Sequence, residues 1–453
     1  MAPVFTIKDV QFSTRRVVLA LPFQFGSTTV TEAKEAHLTV ELEGAGGRVT
    51  GYGAQMMIPR WFDKRADLSN DDTVAELMAT LEAAQRNAVG LAGTIRALSV
   101  ELRDAVSATM PDDCPALAAG FGPALVEMAA IDAACRSSGV PFVKAAQSDL
   151  FGLSQDAPKD VSADTIIKVL REIAPRQSIA MRHTVGYDAP LTREDVSAHP
   201  GDGRPVALTD VIVATGISAF KIKLKGDPQA DLSRLKRLAA ILDPLGTYRA
   251  TLDANEQYSE AAFNVFVDQF LSDAALTALA RATLFVEQPF PREVALTQRE
   301  RPLSFGVPLV IDESDDGDDA LPRALASGWA GTSVKSCKGV LRALLNKARV
   351  EARRAEGKVA LLSAEDLTCQ PGLSWQQDTM MAACVGASHV ERNGHHFAGG
   401  MQGASADEKA AFVAAHGTLY AADKGGVRLI ITDGAADLSS LFGAGFASTP
   451  LGT

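Results

Sequence analysis

The sequence predicts an α/β protein: a barrel of parallel strands that carries the chemistry, preceded by a smaller α+β unit. Three observations lead there. From about residue 178, short apolar runs alternate with helical segments eight times. Each run stops on a polar or charged residue. Residues 16–137 instead show a period of two that gives way to helical spacing, as in an antiparallel sheet followed by helices.

Taken in order, RVVLALPFQF and HLTVELEGAGGRVTGYG alternate apolar and polar positions, with a hairpin turn expected at Gly44-Ala45-Gly46-Gly47. Leu77, Leu81, Ala84, Ala88, Leu91, Ile95, Leu98 and Leu102 then recur at helical spacing, and PALVEMAAIDAACR repeats the pattern. This α+β unit is expected to span 1–150. Residues 152–178 read as a connection with one short helix. Beyond them come SIAMRH, SAFKIK, YRATLD, TLFVE, VPLVID, GTSVK, VALLSAED and SHVE. Their polar ends are His183, Lys223, Asp253, Glu287, Asp312, Lys335, Glu365 or Asp366, and Glu391. Successive ends lie 23 to 40 residues apart, room for a strand, a crossover helix and loops. Between them DLSRLKRLAAIL puts Leu232, Leu235, Leu238 and Leu242 on one face, and Ser259 suits an N-cap. The barrel unit is expected to span 151–400. The segment 401–453, with the strand-like pair in GGVRLIITDG, is expected to pack back on the first unit. A doubly wound open sheet would call for a Gly-rich phosphate loop after an early strand, and the sequence has none.

Composition narrows the partners. The net charge is −11, which gives no electrostatic reason to bind nucleic acid or an anionic membrane. Five scattered cysteines without Cys-x-x-Cys spacing fit neither a disulfide framework nor a zinc ribbon, and point to a reducing compartment. The start MAPVFTIKDV lacks the pattern of a signal peptide, and no uninterrupted apolar run reaches the ~18 residues of a membrane span. A soluble, cytoplasmic protein is expected, acting on a small carboxylate and forming a homo-oligomer.

The strand ends carry the chemistry. Asp253, Glu287 and Asp312 end three consecutive strands, which lie about 4.8 Å apart in a parallel sheet. Three carboxylates that close repel, and a divalent cation relieves the repulsion; all-oxygen ligation suits Mg²⁺ or Mn²⁺. In Phe220-Lys221-Ile222-Lys223-Leu224-Lys225 the lysines share one face, and Lys335 ends the strand after the acid trio. Lysines thus flank the acids, and a neighbouring cation or metal is expected to lower a lysine pKa toward that of a general base. Lys225 and Lys338 read as ordinary surface or loop lysines.

The ordered set FKIK, TLDAN, FVEQPF, VIDES and SVKSCK resembles the enolase superfamily, most closely its muconate-lactonising enzyme subgroup. The resemblance implies an α+β capping domain on a modified TIM barrel, (β/α)₇β. It implies Mg²⁺ on Asp253, Glu287 and Asp312, and Lys223 and Lys335 as acid/base residues on opposite faces of the substrate. Lys221 matches the first lysine of the Lys-x-Lys motif and Asn255 the Asn of Asp-x-Asn. There are departures. Dipeptide epimerases carry Asp-x-Asp on the last strand where this chain has Glu391-Arg392-Asn393, and the strand that carries a histidine in the acid-sugar dehydratases ends here at Ser363-Ala364-Glu365-Asp366. Trp61 resembles part of the cap loop that closes over substrate, and is equally explained by packing. His183, Glu365, Asp366 and Glu391 are open to substrate-contact or supporting roles.

The expected reaction is Mg²⁺-dependent removal of the proton α to a carboxylate with stabilisation of the enediolate, by a racemase, epimerase or cycloisomerase. A lyase using the same step is the alternative. A hydrolytic barrel would need a His-x-His at a strand end, and none is present. A non-catalytic metabolite-binding barrel would be expected to have lost one of the five site positions.

Overall fold

The computed structural model describes residues 1–26, 28–298, 302–424 and 426–452. Strands Phe5–Phe25, Thr28–Gly44 and Gly47–Met57 form an antiparallel meander, with the short strand Ala92–Gly93 beside the first. The second turn falls at Ala45-Gly46, where the pattern of glycines put it. Helices Asn70–Ala88, Ile95–Ser107 and Phe121–Ser137 pack around the sheet. The first is closed by a capping box in which Ser69 and Asp72 satisfy one another's backbone N–H. Residues 116–137 are long and apolar enough to cross a membrane by composition, yet Phe121–Ser137 is a core helix between the meander and its two companions.

That helix lies almost on the backbone of the third strand. A Cβ at Gly51 would stand 2.1 Å from the Ala129 carbonyl oxygen, so only glycine permits the approach. Asp132 of the helix accepts the Tyr52 N–H at 3.0 Å, which satisfies a strand amide that has no ladder partner on that side.

Eight parallel strands follow: Ser178–Val185, Ala219–Lys223, Arg249–Asp253, Thr283–Glu287, Leu309–Ile311, Gly331–Val334, Leu361–Ala364 and His389–Glu391. Ladders join them in chain order from the first to the seventh, and the eighth pairs with the first. Crossover helices cover the outside. In Pro228–Leu242, capped by Asp227, the four leucines at 232, 235, 238 and 242 are buried; Ser259 caps Glu260–Ser272. Among the described residues no ladder joins strands seven and eight. The guanidinium of Arg182, from the first strand, fills that seam. It donates to Ser363 Oγ at 2.9 Å and the Ala364 carbonyl at 3.2 Å on one side, and lies 3.1 Å from His389 Nδ1 on the other. Burial, reinforced by that guanidinium, holds His389 down at about 3, so its neutral Nδ1 accepts.

The tail differs from its expected form. Of GGVRLIITDG, whose first glycine, Gly425, lies outside the described residues, only Gly426–Leu429 enters a hairpin, and its partner is the earlier strand Tyr420–Asp423. Ala435–Asp437 pairs antiparallel with the start of the first barrel strand. The tail also meets the N-terminal unit. Arg15 and Glu408 form a two-pronged pair at 2.8 and 2.9 Å, the Gln402 amide exchanges two bonds with the Val18 backbone, and Phe446 packs on Phe142.

Gly51→Ala should destabilise the protein by about 1–3 kcal/mol, because strand and helix backbones must separate to admit the methyl group. The urea midpoint measures this, and an unchanged midpoint would show that the helix has room to move.

Candidate active site

Strand parity decides which side chains enter the barrel. In Ala219–Lys223, Phe220 and Ile222 face the helices, so Lys221 and Lys223 point inward and are 2% and 4% exposed. The ladder sets Lys223 level with Asp253 and Asp253 level with Glu287. Glu287 pairs with Val310, so Asp312 stands one pleat further toward the mouth. Gln288, at φ +37, accepts the Asp312 and Ser314 N–H groups at 2.8 and 3.2 Å and so holds the turn after the fifth strand.

The result is a buried cluster of ammonium and carboxylate groups. Lys221 Nζ donates to Glu287 at 3.0 Å, Glu365 at 2.6 Å and Glu391 at 3.0 Å, and is 3.0 Å from Asp253. Lys223 donates to Asp253 at 2.6 Å and to Asn255 Oδ1 at 2.8 Å. Lys335 bonds Asp312 at 2.5 Å and Glu365 at 2.9 Å, with the Trp61 ring centre 5.0 Å away. One carboxylate oxygen from each of Glu287, Asp312 and Glu365 lies within 4.8 Å of the others. Asp253 stands beside this group, tied to both lysines of its neighbouring strand. Glu287 Oε2 is buried without a hydrogen-bond partner.

Among the protein's own groups, carboxylates rather than the neighbouring lysine set the direction at Lys221. Burial opposes the charge on Lys221, but Asp253, Glu287, Glu365 and Glu391 outweigh it and hold the ammonium well above its usual value. Lys335 is held up in the same way by Asp312 and Glu365 against burial. Burial, with Asp253 and Glu365 adding to it, drives Glu287 well above the usual carboxylate range. Asp312 goes the other way, held down by Lys335 and Lys338 against its burial.

Lys338 is a correction. It is no loop lysine: 2% exposed, it donates to the Asp312 carbonyl at 2.7 Å, to Asp312 Oδ1 at 2.9 Å, and to Ser333 at 3.0 and 3.1 Å. The turn Ser336–Lys338 after the sixth strand folds it back under the barrel mouth.

A small cavity of about 30 Å³ opens onto the cluster, lined on its floor by Lys221, Lys223, Asp253, Asn255, Asp312 and Lys335, and at its rim by Asp366, Thr368 and Glu391. Phe23, Phe25, Ile58, Trp61 and Leu367 supply apolar walls, the first four from the N-terminal unit. Glu365 is among the three converging acids, and Glu391 accepts from Lys221, Asn393 and Thr184. His183 does not line the cavity. It points to the helix side of the first strand, edge-on to His396, and burial followed by His395 holds it down at about 3. Its neighbours Arg182 and Thr184 face inward instead, and sequence reading missed both; the period of two would have found them once the inward parity was known. The aromatic walls Phe23 and Phe25 were also missed, since nothing local distinguishes them from sheet core.

No protein-family model matches the chain. It is 25% identical over 293 residues to the hydrophobic dipeptide epimerase of Citrifermentans bemidjiense, across 64% of this chain and 61% of that protein, so the match spans about three fifths of that relative. Among solved structures it resembles the dipeptide epimerase of Enterococcus faecalis V583 complexed with Mg and L-Leu-L-Tyr, with TM-score 0.62 and 15% identity over 98% of this chain and 99% of that one. It also resembles 2-chloromuconate cycloisomerase from Rhodococcus opacus 1CP, with TM-score 0.59 and 14% identity over 98% and 96%. What is shared with these structures is the fold: an antiparallel N-terminal sheet with its helices beside a ring of eight parallel strands.

Lys338→Met should cost about 3 kcal/mol of stability, since it strips Asp312 of one of two buried cations. Chemical denaturation against wild type measures the loss, and a wild-type midpoint would return Lys338 to a bystander.

Proposed function

From a fold shared with the enolase superfamily, we propose that this chain is a divalent-metal-dependent enzyme that removes the proton α to a carboxylate and returns it, as a racemase, epimerase or cycloisomerase of a small carboxylic acid. One observation carries the reading. Lys223 and Lys335, on the second and sixth of eight strands, border one cavity whose floor also holds Asp253 and Asp312. Strands four apart in a ring of eight face each other, so the two ammonium groups stand across the cavity.

The donor set fits a hard cation. The acids offer oxygen only, and the bare Glu287 Oε2 is a buried acceptor in need of a partner. Asp253, Glu287 and Asp312 would hold Mg²⁺, with Glu365 beside them. Bound there, the ion supplies a fixed positive charge for the charge that develops on a substrate carboxylate.

The chain's own groups do the rest. Lys223 is oriented by Asn255 and Asp253 so that its Nζ moves a proton on one side of the cavity. Lys335, braced by Glu365 and Asp312 and covered by the Trp61 ring, does so on the other. Lys221 touches Glu287, Glu365 and Glu391 together and so sets the spacing of the acids. On this reading residues 1–150 with the 401–453 tail form the cap and 151–400 the barrel. The cap walls narrow the cavity, which has room for about two waters and must open for a substrate to enter. The five cysteines are free thiols, four of them buried, which suits work in the cytoplasm.

Asp253→Asn, Glu287→Gln and Asp312→Asn should each weaken Mg²⁺ binding by at least about tenfold in calorimetry, because each removes a charged oxygen from the set. Unchanged affinity in any one of them would remove that residue.

The lysines are tested by exchange of α-protons in deuterated solvent across a panel of chiral carboxylates. Lys223→Ala and Lys335→Ala should each abolish isomerisation while each still exchanges the proton of one stereoisomer. Loss of all exchange in both variants with turnover to an unsaturated product in wild type would favour elimination. Wild-type rates in both would end the assignment.

A further inference from the structure

We infer that Gln55 is a positioning residue: through Ser336 it holds the backbone beside Lys335, so that docking of the N-terminal unit sets one of the two acid/base lysines and leaves the other to the barrel. This rests on the roles proposed for Lys223 and Lys335 but is read from other side chains.

The two lysines are held differently. Lys223 ends a strand within the ladder, level with Asp253, and the next N–H, that of Leu224, donates to the Asp253 carbonyl at 2.8 Å. Among the described residues no hydrogen bond joins the N-terminal unit to Ile222, Lys223 or Leu224. The sixth strand stops at Val334, so Lys335 stands one residue beyond its ladder. Its backbone depends on the turn that follows. The Lys338 N–H returns to the Lys335 carbonyl at 2.9 Å, and Ser336 is gripped at two points. Asp378 accepts the Ser336 N–H at 2.6 Å, and Gln55 Nε2 donates to Ser336 Oγ at 2.8 Å.

Gln55 comes from the third strand of the N-terminal sheet, and its amide is not free to turn over. Oε1 accepts the Met56 N–H at 2.8 Å and the Cys369 thiol at 3.1 Å. A backbone N–H only donates, so the amide oxygen must face it and the nitrogen is left for Ser336. Gln55 is 1% exposed and Ser336 is fully buried, so water does not replace the bond when one partner is removed. The same unit meets the other end of Lys335, where the Trp61 ring centre lies 5.0 Å from Nζ. A shift of the sheet therefore reaches Lys335 at its backbone and at its ammonium, while Lys223 keeps its ladder. Misplacing a reacting group by about 1 Å costs up to about a hundredfold in rate.

Two variants test the link. Gln55→Met keeps the reach of the side chain without its amide, and Ser336→Ala breaks the same bond from the barrel side. In Mg²⁺-loaded protein whose lysines carry carbon-13 at Cε, the NMR signals of Lys223 and Lys335 are identified with Lys223→Arg and Lys335→Arg. Each test variant should move the Lys335 signal and leave that of Lys223 in place. The double variant should move it no further than the larger single one. α-Proton exchange is then followed in deuterated solvent with a panel of carboxylates that includes both enantiomers of 2-phenylpropionate. The enantiomer served by Lys335, the one that Lys335→Ala no longer exchanges, should exchange at least about tenfold more slowly in Gln55→Met, and its mirror image should stay within about twofold of wild type. Where Gln55→Met does not fold, Ser336→Ala carries both measurements. An unmoved Lys335 signal, equal movement of both lysines, additive shifts in the double variant, or an equal effect on both enantiomers overturns the inference. A Lys335 signal that answers to both variants in a protein that exchanges no α-proton leaves Gln55 in place and overturns the proposed reaction instead.

Discussion

Everything at the barrel mouth depends on one constraint: the Lys221 ammonium, 2% exposed, must be compensated where water cannot reach it. Placing such a charge in a barrel interior is prohibitive unless opposite charges surround it. Asp253, Glu287, Glu365 and Glu391 come from four different strands to do so, and each lies within 3.0 Å of its nitrogen. The same acids would repel one another without it. The ammonium and the carboxylates therefore fix one another's positions, and the strand ends are drawn to one point. Glu365 extends the network, since its other oxygen accepts from Arg182, the residue that fills the seam between strands seven and eight. Charge compensation and barrel closure are the work of the same side chains.

The N-terminal unit is bound to that network rather than resting on it. Arg292 grips the Phe62 and Trp61 carbonyls while forming a two-pronged pair with Glu256. Lys64 reaches from the N-terminal unit to Glu313 at 3.0 Å, next to Asp312, and to the Asn255 carbonyl at 3.2 Å, next to Asp253's partner Lys223. Gln55 bonds Ser336, the residue after Lys335, at 2.8 Å. Arg60, Asn255, Glu256 and Gln288 all take positive φ in this region. Such backbone is held only where its surroundings over-determine it. The walls of the cavity and its reactive floor are thus set by shared contacts.

Much of this was legible along the chain. The eight strand ends were readable because a parallel strand buried on both faces is an apolar run, and its first polar residue marks the mouth. The acids at 253, 287 and 312 and the lysines at 223 and 335 follow from that rule, and Lys221 from the alternation within its strand. The same rule failed at His183. There the polar residue that ends the run faces the helices, and the inward positions are its neighbours Arg182 and Thr184. It failed again at Lys338, where a single turn of chain after the strand brings a residue back into the site that linear spacing places outside it.

The sequence by itself determined the order of the elements and the residue types at the strand ends, because hydrophobic period and run length are local properties of the chain. Tertiary structure alone decided which charges meet. The partners of Lys221 lie 32 to 170 residues away, and the sign of its pKa shift comes from how many carboxylates converge on it, not from the lysine two residues along. Phe23, Phe25 and Trp61 wall the same cavity as the barrel lysines only because the N-terminal unit docks on the barrel. Electrostatic energy depends on distance through space, and a one-dimensional pattern carries that distance only where the fold has already been recognised.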